Sequence, residues 1–276
     1  MKRHIVFFIL NLTLFTNFSF GQNTIEAKDK VLVMDFDSAY VKARKVQIYL
    51  PKEYEENPTK HFPVLYMQDG QNLFDPQTAY KGRAWELDKS SRNAIKNNEI
   101  SPCIIVGISN VDTRFFEYFP QKATIYLTKD DYVLMEQGGL EQASETSNYL
   151  ADNYLKFLVN ELKPFIDKNY RTKTEAASTA IGGSSSGALI SLYAICEYPQ
   201  IFGQAACLST HWSVLFDNEF ISPSESIRTY LKHNLPDPKT HRIYFDYGTL
   251  AIDRFYEIHQ IKVDQLMLEK GYIKGK

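Results

Sequence analysis

Gly183-Ser184-Ser185-Ser186-Gly187 is the stretch of this sequence best suited to chemistry. It fits G-x-S-x-G and lies between an apolar strand-like run, 177–181, and an apolar helix-like run, 188–196. A serine hydroxyl is a poor nucleophile at neutral pH. Held on a sharp strand-to-helix turn, it is open to a base and faces a helix N-terminus that favours developing negative charge. Ser185 is therefore the candidate nucleophile. Glycines at both ends suit a strained turn with helix packed close on strand. The competing reading is a flexible Gly/Ser linker, but such linkers run longer and join polar segments, whereas strand and helix signals abut here. Acyl transfer also needs donors aimed at the tetrahedral oxyanion. The backbone N–H of Ser186, directly after the nucleophile, is one. The loop in the segment 64–75, after an early strand, supplies the other.

These groups need a scaffold, and the pattern predicts one. Strands are expected at Val31–Phe36, Lys45–Leu50, Pro63–Gln68, Pro102–Ile108, Ser178–Gly182, Gln204–Ser209 and Arg242–Tyr247. Several are continuous apolar runs, which suits strands buried on both faces. Leu150, Tyr154, Leu155, Leu158, Leu162, Phe165 and Ile166 recur at helical spacing before the elbow strand. Ile252, Phe255, Tyr256, His259, Val263 and Leu266 mark a second stripe near the C-terminus. Alternating strand and helix imply right-handed crossovers and an α/β fold with a mostly parallel, twisted sheet covered on both faces. Two long connections, 109–147 and 211–240, are of the length that makes lids or binding loops. The aromatics of the first (Phe115, Phe116, Tyr118, Phe119, Tyr126, Tyr132) either serve that role or cover the sheet.

Residues 1–21 read as a secretory signal: Lys2 and Arg3, an apolar run from Ile5 to Phe15, and Ser19-Phe20-Gly21 before Gln22. The run is short for a membrane span, and no cysteine follows the cleavage site to take a lipid. The expected product is secreted or periplasmic, with no membrane span after signal removal and a single domain over 22–276. A net charge of −2 without any basic block argues against a nucleic-acid partner. Cys103, Cys196 and Cys207 fall in apolar segments and read as buried thiols, with a Cys196–Cys207 bridge as the lesser alternative. No cofactor or metal is expected: the 69–75 stretch lacks the spacing of a calcium loop, and the histidines are too scattered for zinc.

Together the D-G-Q-N-L-F-D run at 69–75, Trp85 with Asp88, Arg114 with Glu117, Tyr118 and Pro120, and the elbow give the chain a family likeness. Phe202-Gly203, Leu208-Ser209 before Trp212, and Tyr247-Gly248-Thr249 with Asp253 extend it. The chain resembles the esterase branch of the α/β-hydrolases that includes feruloyl esterases, S-formylglutathione hydrolases, enterochelin esterases and mycolyltransferases. The likeness runs from about residue 40 to the last residue. It implies that the Gln71 N–H is the second oxyanion donor and that Asp253, after the last expected strand, is the triad acid. Asp253 also reads as an N-terminal helix residue favoured by the macrodipole, and Asp69 and Asp75 read as turn formers.

In this fold the order is serine, acid, histidine. Beyond Asp253 the sequence offers His259, which sits on an apolar helical stripe and reads as packed against the sheet. His211 and Trp212 follow the strand after the elbow and are expected to contact substrate. The expectation is therefore that the triad histidine, a last strand and a closing helix lie outside this sequence. The chain would then be a weak catalyst and would expose apolar surface where those elements pack. Three functions fit: a serine ester hydrolase acting on small-molecule or carbohydrate-linked esters, an acyltransferase sharing the same acyl-enzyme, or a non-catalytic binding protein that has lost its base.

Overall fold

The computed structural model describes residues 29–137, 143–144, 147–212 and 222–275. The expected signal segment, 1–21, lies outside them. Seven strands, β1 (Lys30–Phe36), β2 (Arg44–Leu50), β3 (Val64–Gln68), β4 (Ile104–Ile108), β5 (Thr179–Ser184), β6 (Gln204–Leu208) and β7 (Arg242–Asp246), form one mixed sheet. Its order is β1-β2-β4-β3-β5-β6-β7. β1 and β2 pair antiparallel, as do β2 and β4, and the remaining pairs are parallel. Each strand lies within two residues of its expected bounds.

Apolar content decides position in the sheet. Every residue of β4 is buried, as expected of a strand covered on both faces. β1 is exposed over most of its length, Val33 by 59%, because it pairs on one side alone at the edge. The opposite edge is β7, where Tyr244 is 56% and the following Leu250 80% exposed. Ile258, Ile261 and Leu268 on the helix Glu257–Glu269 also face solvent.

The helix Ser186–Glu197 is buried from Gly187 through Cys196. It lies against β5 and β6, with the helix Ser222–Asn234 also packed on it, which explains its apolar character all round. The stripe expected at 150–166 is not one uniform α-helix. It runs as Ala151–Phe157, a π-helical turn Leu158–Leu162 and Lys163–Asn169. Pro164 at the start of the last segment accounts for this: it has no N–H for a carbonyl one turn back, and widening that turn avoids the clash. The C-terminal stripe also divides. Ile252 and Phe255 lie on a 3₁₀ turn, Ala251–Phe255, that precedes the helix proper.

In the 109–147 connection, Tyr118 and Phe119 are core residues, and Phe115, Phe116 and Tyr132 pack against the core. Covering the sheet is thus the main task of these rings. The three cysteines are free thiols, so the alternative Cys196–Cys207 bridge is not formed. Burial pushes the Cys103 thiol up to about 11 and raises the other two further, which makes all three unreactive. Among the described residues no helix is long and apolar enough to cross a membrane.

One buried ion pair ties this connection to the sheet. Arg44, at the start of β2, donates to both Glu117 carboxylate oxygens at 2.9 and 2.8 Å from a site closed to solvent. Its guanidinium also lies 5.2 Å from the ring centroids of Tyr154 and Phe157. Burial alone would lower the Arg44 pKa, but the bonds to Glu117 outweigh it and the pKa is raised. Arg44→Met strands the Glu117 carboxylate and is expected to cost about 3–5 kcal/mol in urea unfolding. Adding Glu117→Leu is expected to restore most of that loss.

Candidate active site

β5 ends in a turn that few residues tolerate. Ser185 has φ 60° and ψ −125°, a conformation costing a non-glycine residue about 1–3 kcal/mol unless its surroundings enforce it. They do: the Ser185 N–H donates to the Leu208 carbonyl on β6 at 3.0 Å, and the elbow helix starts at the next residue. The flanking glycines are steric requirements. A Cβ on Gly183 would come 2.7 Å from the Gly187 carbonyl oxygen, and one on Gly187 would come 3.0 Å from the Gln68 Cβ. The serine is therefore presented at a sharp bend, pressed against the end of β3.

The oxyanion loop begins at that same place. Asp69 has φ 56° and ψ 45°, and the 3₁₀ turn Gly70–Asn72 follows. A Cβ on Gly70 would come 2.5 Å from the Gly107 carbonyl carbon, so the loop lies flat on β4 because neither contact residue has a side chain. Asp69 is a clamp rather than a turn-capping residue. Its carboxylate accepts two bonds from Arg114, each 2.8 Å, and one of 2.6 Å from the Asn110 side chain. Asp75 does form the expected turn, accepting the Gln77 N–H at 2.8 Å. Gln71 is held at both ends: its side-chain oxygen accepts the Asn110 N–H at 3.1 Å, and its carbonyl accepts the Thr78 hydroxyl at 2.7 Å. Its own N–H, like that of Ser186, has no partner among the described residues. Two such orphan amides, one adjoining Ser185 in the chain and one on the turn after β3, are of the kind an oxyanion requires.

Asp253 lies on the 3₁₀ turn after β7. Its Oδ2 accepts the Ser209 hydroxyl at 2.7 Å and the Gly248 N–H at 2.9 Å, which leaves Oδ1 unpartnered among the described residues. Ser209 thus orients the carboxylate. Neither of these donors is a histidine.

His211 and Trp212 follow β6, as expected, but their placement changes their roles. Trp212 is fully buried, donates to the Gln260 side chain at 2.8 Å and packs on Phe245. Its indole is therefore closed to solvent in this structure. His211 is 8% exposed, its Nδ1 lies 2.9 Å from the Tyr256 hydroxyl, and its N–H points to the Ser185 carbonyl at 3.4 Å. Tyr256, which its spacing marked only as part of an apolar stripe, is 1% exposed and its hydroxyl meets the His211 ring. His259 is buried, with Nδ1 3.0 Å from the Ser224 hydroxyl and Arg228 beside it. Burial, then the charges of Arg228, Lys262 and His211, lower its pKa to about 4. No group of three or more His, Cys, Asp or Glu side chains among the described residues is placed to hold a metal.

A mostly parallel sheet with a serine on a strained turn between an inner strand and a buried helix defines an α/β-hydrolase. The family model Esterase, described as "Putative esterase", matches residues 38–260, and the chain belongs to that family. The Bacillus subtilis (strain 168) protein YbbA, of uncharacterized function, is 27% identical over 241 residues, 84% of this chain and 81% of its own length. Among solved structures, a ferulic acid esterase matches with a TM-score of 0.61 at 20% identity, covering 89% of this chain and 88% of its own. An IroE-like serine hydrolase from Shewanella oneidensis matches with a TM-score of 0.63 at 18% identity, covering 89% and 71%.

Removing the clamp by Arg114→Met is expected to loosen the Gln71 amide and slow phosphonylation of Ser185 by about tenfold, a fraction of what losing one oxyanion donor costs. Stopped-time labelling with a fluorophosphonate measures it. His259 gives a stability test. Its folded pKa lies below that of the unfolded chain, so the unfolded state binds the proton first and stability falls as pH drops from about 6.5 towards 4. Urea unfolding is expected to show that loss, at most about 1.4 kcal/mol per pH unit, and His259→Gln is expected to flatten it.

Proposed function

We propose that this protein is an exported serine carboxylic-ester hydrolase. Ser185 attacks the ester carbonyl, the Gln71 and Ser186 amides hold the oxyanion, and an acyl-enzyme forms and is hydrolysed. The observation that carries the reading is the pairing of a strained Ser185 with two unclaimed N–H groups, that of Ser186 at the start of the elbow helix and that of Gln71 on the loop that Arg114 clamps through Asp69. The residue 1–21 signal supports export. Substrates of the class are carbohydrate-linked or other small acyl and aromatic esters. The likeness in fold to a ferulic acid esterase and the exposed rings of Tyr126, Tyr80 and Trp85 favour the aromatic end of that range.

A second reading has one observation behind it. Among the described residues the Asp253 carboxylate is held by Ser209 and Gly248 through Oδ2 and no imidazole meets it, the arrangement a binding protein descended from an esterase would also have. Fluorophosphonate labelling separates the two. The hydrolase is expected to be modified at Ser185 alone, with labelling abolished in Ser185→Ala, and to release acid from a panel of feruloyl, acetyl-sugar and siderophore esters. A folded protein that neither labels at Ser185 nor turns over any of these is the binding protein. N-terminal sequencing of secreted or periplasmic material is expected to begin at Gln22.

A further inference from the structure

The groove between the helices Ser222–Asn234 and Glu257–Glu269 opens into a cavity of about 470 Å³, a volume of the size that small-molecule sites have. None of the residues that line it belongs to the candidate active site. The chain carries a net charge of −2, yet this lining is cationic. Arg228 and Lys232 enter from the first helix and Lys262 from the second, and Glu225 is the one carboxylate among the lining residues. We propose that this cavity binds a tetrahedral dianion, either free phosphate or the phosphate monoester of a small soluble molecule. The site is independent of the esterase reading.

Charge in this groove is left uncompensated. Arg228 and Lys232 stand one helical turn apart on the same face, and like charges at that spacing oppose each other unless a counter-charge sits between them. Glu225 supplies part of one. It pairs with Arg228, but its side chain is 62% exposed where that of Arg228 is 6% exposed, so water screens the acid and barely reaches the guanidinium. The carboxylates farther along the second helix are engaged elsewhere: Asp264 Oδ1 accepts the Gln260 amide at 2.7 Å and Glu269 accepts the Gln265 amide at 3.2 Å. Among the described residues no carboxylate pairs with Lys232 or Lys262.

The floor of the cavity is fixed in place. Arg228 is buried beside Leu266, and its Nη1 donates to the Ser224 hydroxyl at 2.9 Å and lies 3.4 Å from the His259 Nδ1. Those bonds set the plane of the guanidinium, while no bond among the described residues takes its Nε–H or the Thr229 hydroxyl on the same lining. A rigid fork, a hydroxyl and two flexible ammonium groups from facing helices offer more donors, from more directions, than a planar carboxylate can use. A tetrahedral oxyanion matches them. Occupancy also reaches the interior. Burial, then the charges of Arg228, Lys262 and His211, hold the His259 pKa down at about 4, and a dianion in the groove offsets the first two of those charges. The His259 pKa therefore rises when the site fills.

The experiment is calorimetric titration of the full chain with inorganic phosphate, glucose 6-phosphate and acetate, above the second ionisation of phosphate and with sodium chloride holding the ionic strength constant. The double variant Lys232→Gln/Lys262→Gln and the control Lys239→Gln, outside the groove, are titrated beside it. All three lysines are exposed, and circular dichroism follows folding. The native chain and the control are expected to bind phosphate, and the double variant to bind it about tenfold or more weakly, having lost two charge-assisted hydrogen bonds. Tighter binding of glucose 6-phosphate assigns the cavity to a phosphorylated small molecule, and equal binding assigns it to the free ion. Sulfate, a dianion even in acid, is expected to raise the His259 pKa from about 4 in ring-proton NMR of the native chain, with no sulfate-dependent shift in the double variant. Ser185 labelling is expected to be the same in every variant, so its failure would sink the esterase reading and leave this site standing. Native protein that does not bind phosphate, a double variant that binds it as the native chain does, or acetate bound as tightly as phosphate overturns the proposal. Should the double variant not fold, Lys262→Gln alone decides it.

Discussion

The structure around the candidate serine depends on one close approach: the turn after β5 pressed against the end of β3. Gly183 and Gly187 leave no room for a Cβ against each other or against Gln68, and Ser185 takes a φ of 60° between them. Strain of that kind persists only where packing enforces it. Here the enforcement comes from the elbow helix, buried from Gly187 to Cys196, and from the Leu208 carbonyl that captures the Ser185 N–H. Hydrophobic burial of one helix thus holds one hydroxyl at a bend, with the Ser186 amide fixed next to it at the helix start.

The oxyanion loop depends on a longer chain of electrostatics. Arg44 anchors Glu117 in a dry site, which fixes the short helix Arg114–Tyr118 on the sheet. That helix presents Arg114 to Asp69, and Asp69 sets the turn whose next residues carry the Gln71 amide. Each carboxylate is paired two-fold by a guanidinium, a geometry that fixes direction as well as distance. The cost of keeping these charges out of water is justified by position rather than by stability. In the proposed reaction, an amide displaced by an ångström would no longer meet the developing oxyanion.

Much of this was legible in the sequence because it is written in local patterns. Continuous apolar runs give strands buried on both faces, and the glycines around Ser185 report a steric fact that any neighbour would impose. The rest is not local. Tyr256 read as one more apolar position because its hydroxyl acquires meaning only when the loops after β6 and β7 meet. The Asp69 clamp needs Arg114 from another connection, and Trp212 turned out to be buried because Gln260 reaches it from the C-terminal helix. The widened turn at Leu158–Leu162 was hidden by a good hydrophobic stripe, although Pro164 was there to signal it. The division at Ala251–Phe255 was likewise masked by periodicity, since a 3₁₀ turn leading into an α-helix keeps nearly the same face.

The account stands on the position of the two amides relative to the Ser185 oxygen, and a crystal structure of the phosphonylated protein tests this most directly. The expected result is phosphorus bonded to the Ser185 Oγ, with its non-bridging oxygen about 2.7–3.1 Å from both the Gln71 and the Ser186 nitrogen. A phosphoryl oxygen turned to solvent, with either amide bonded elsewhere, would contradict it.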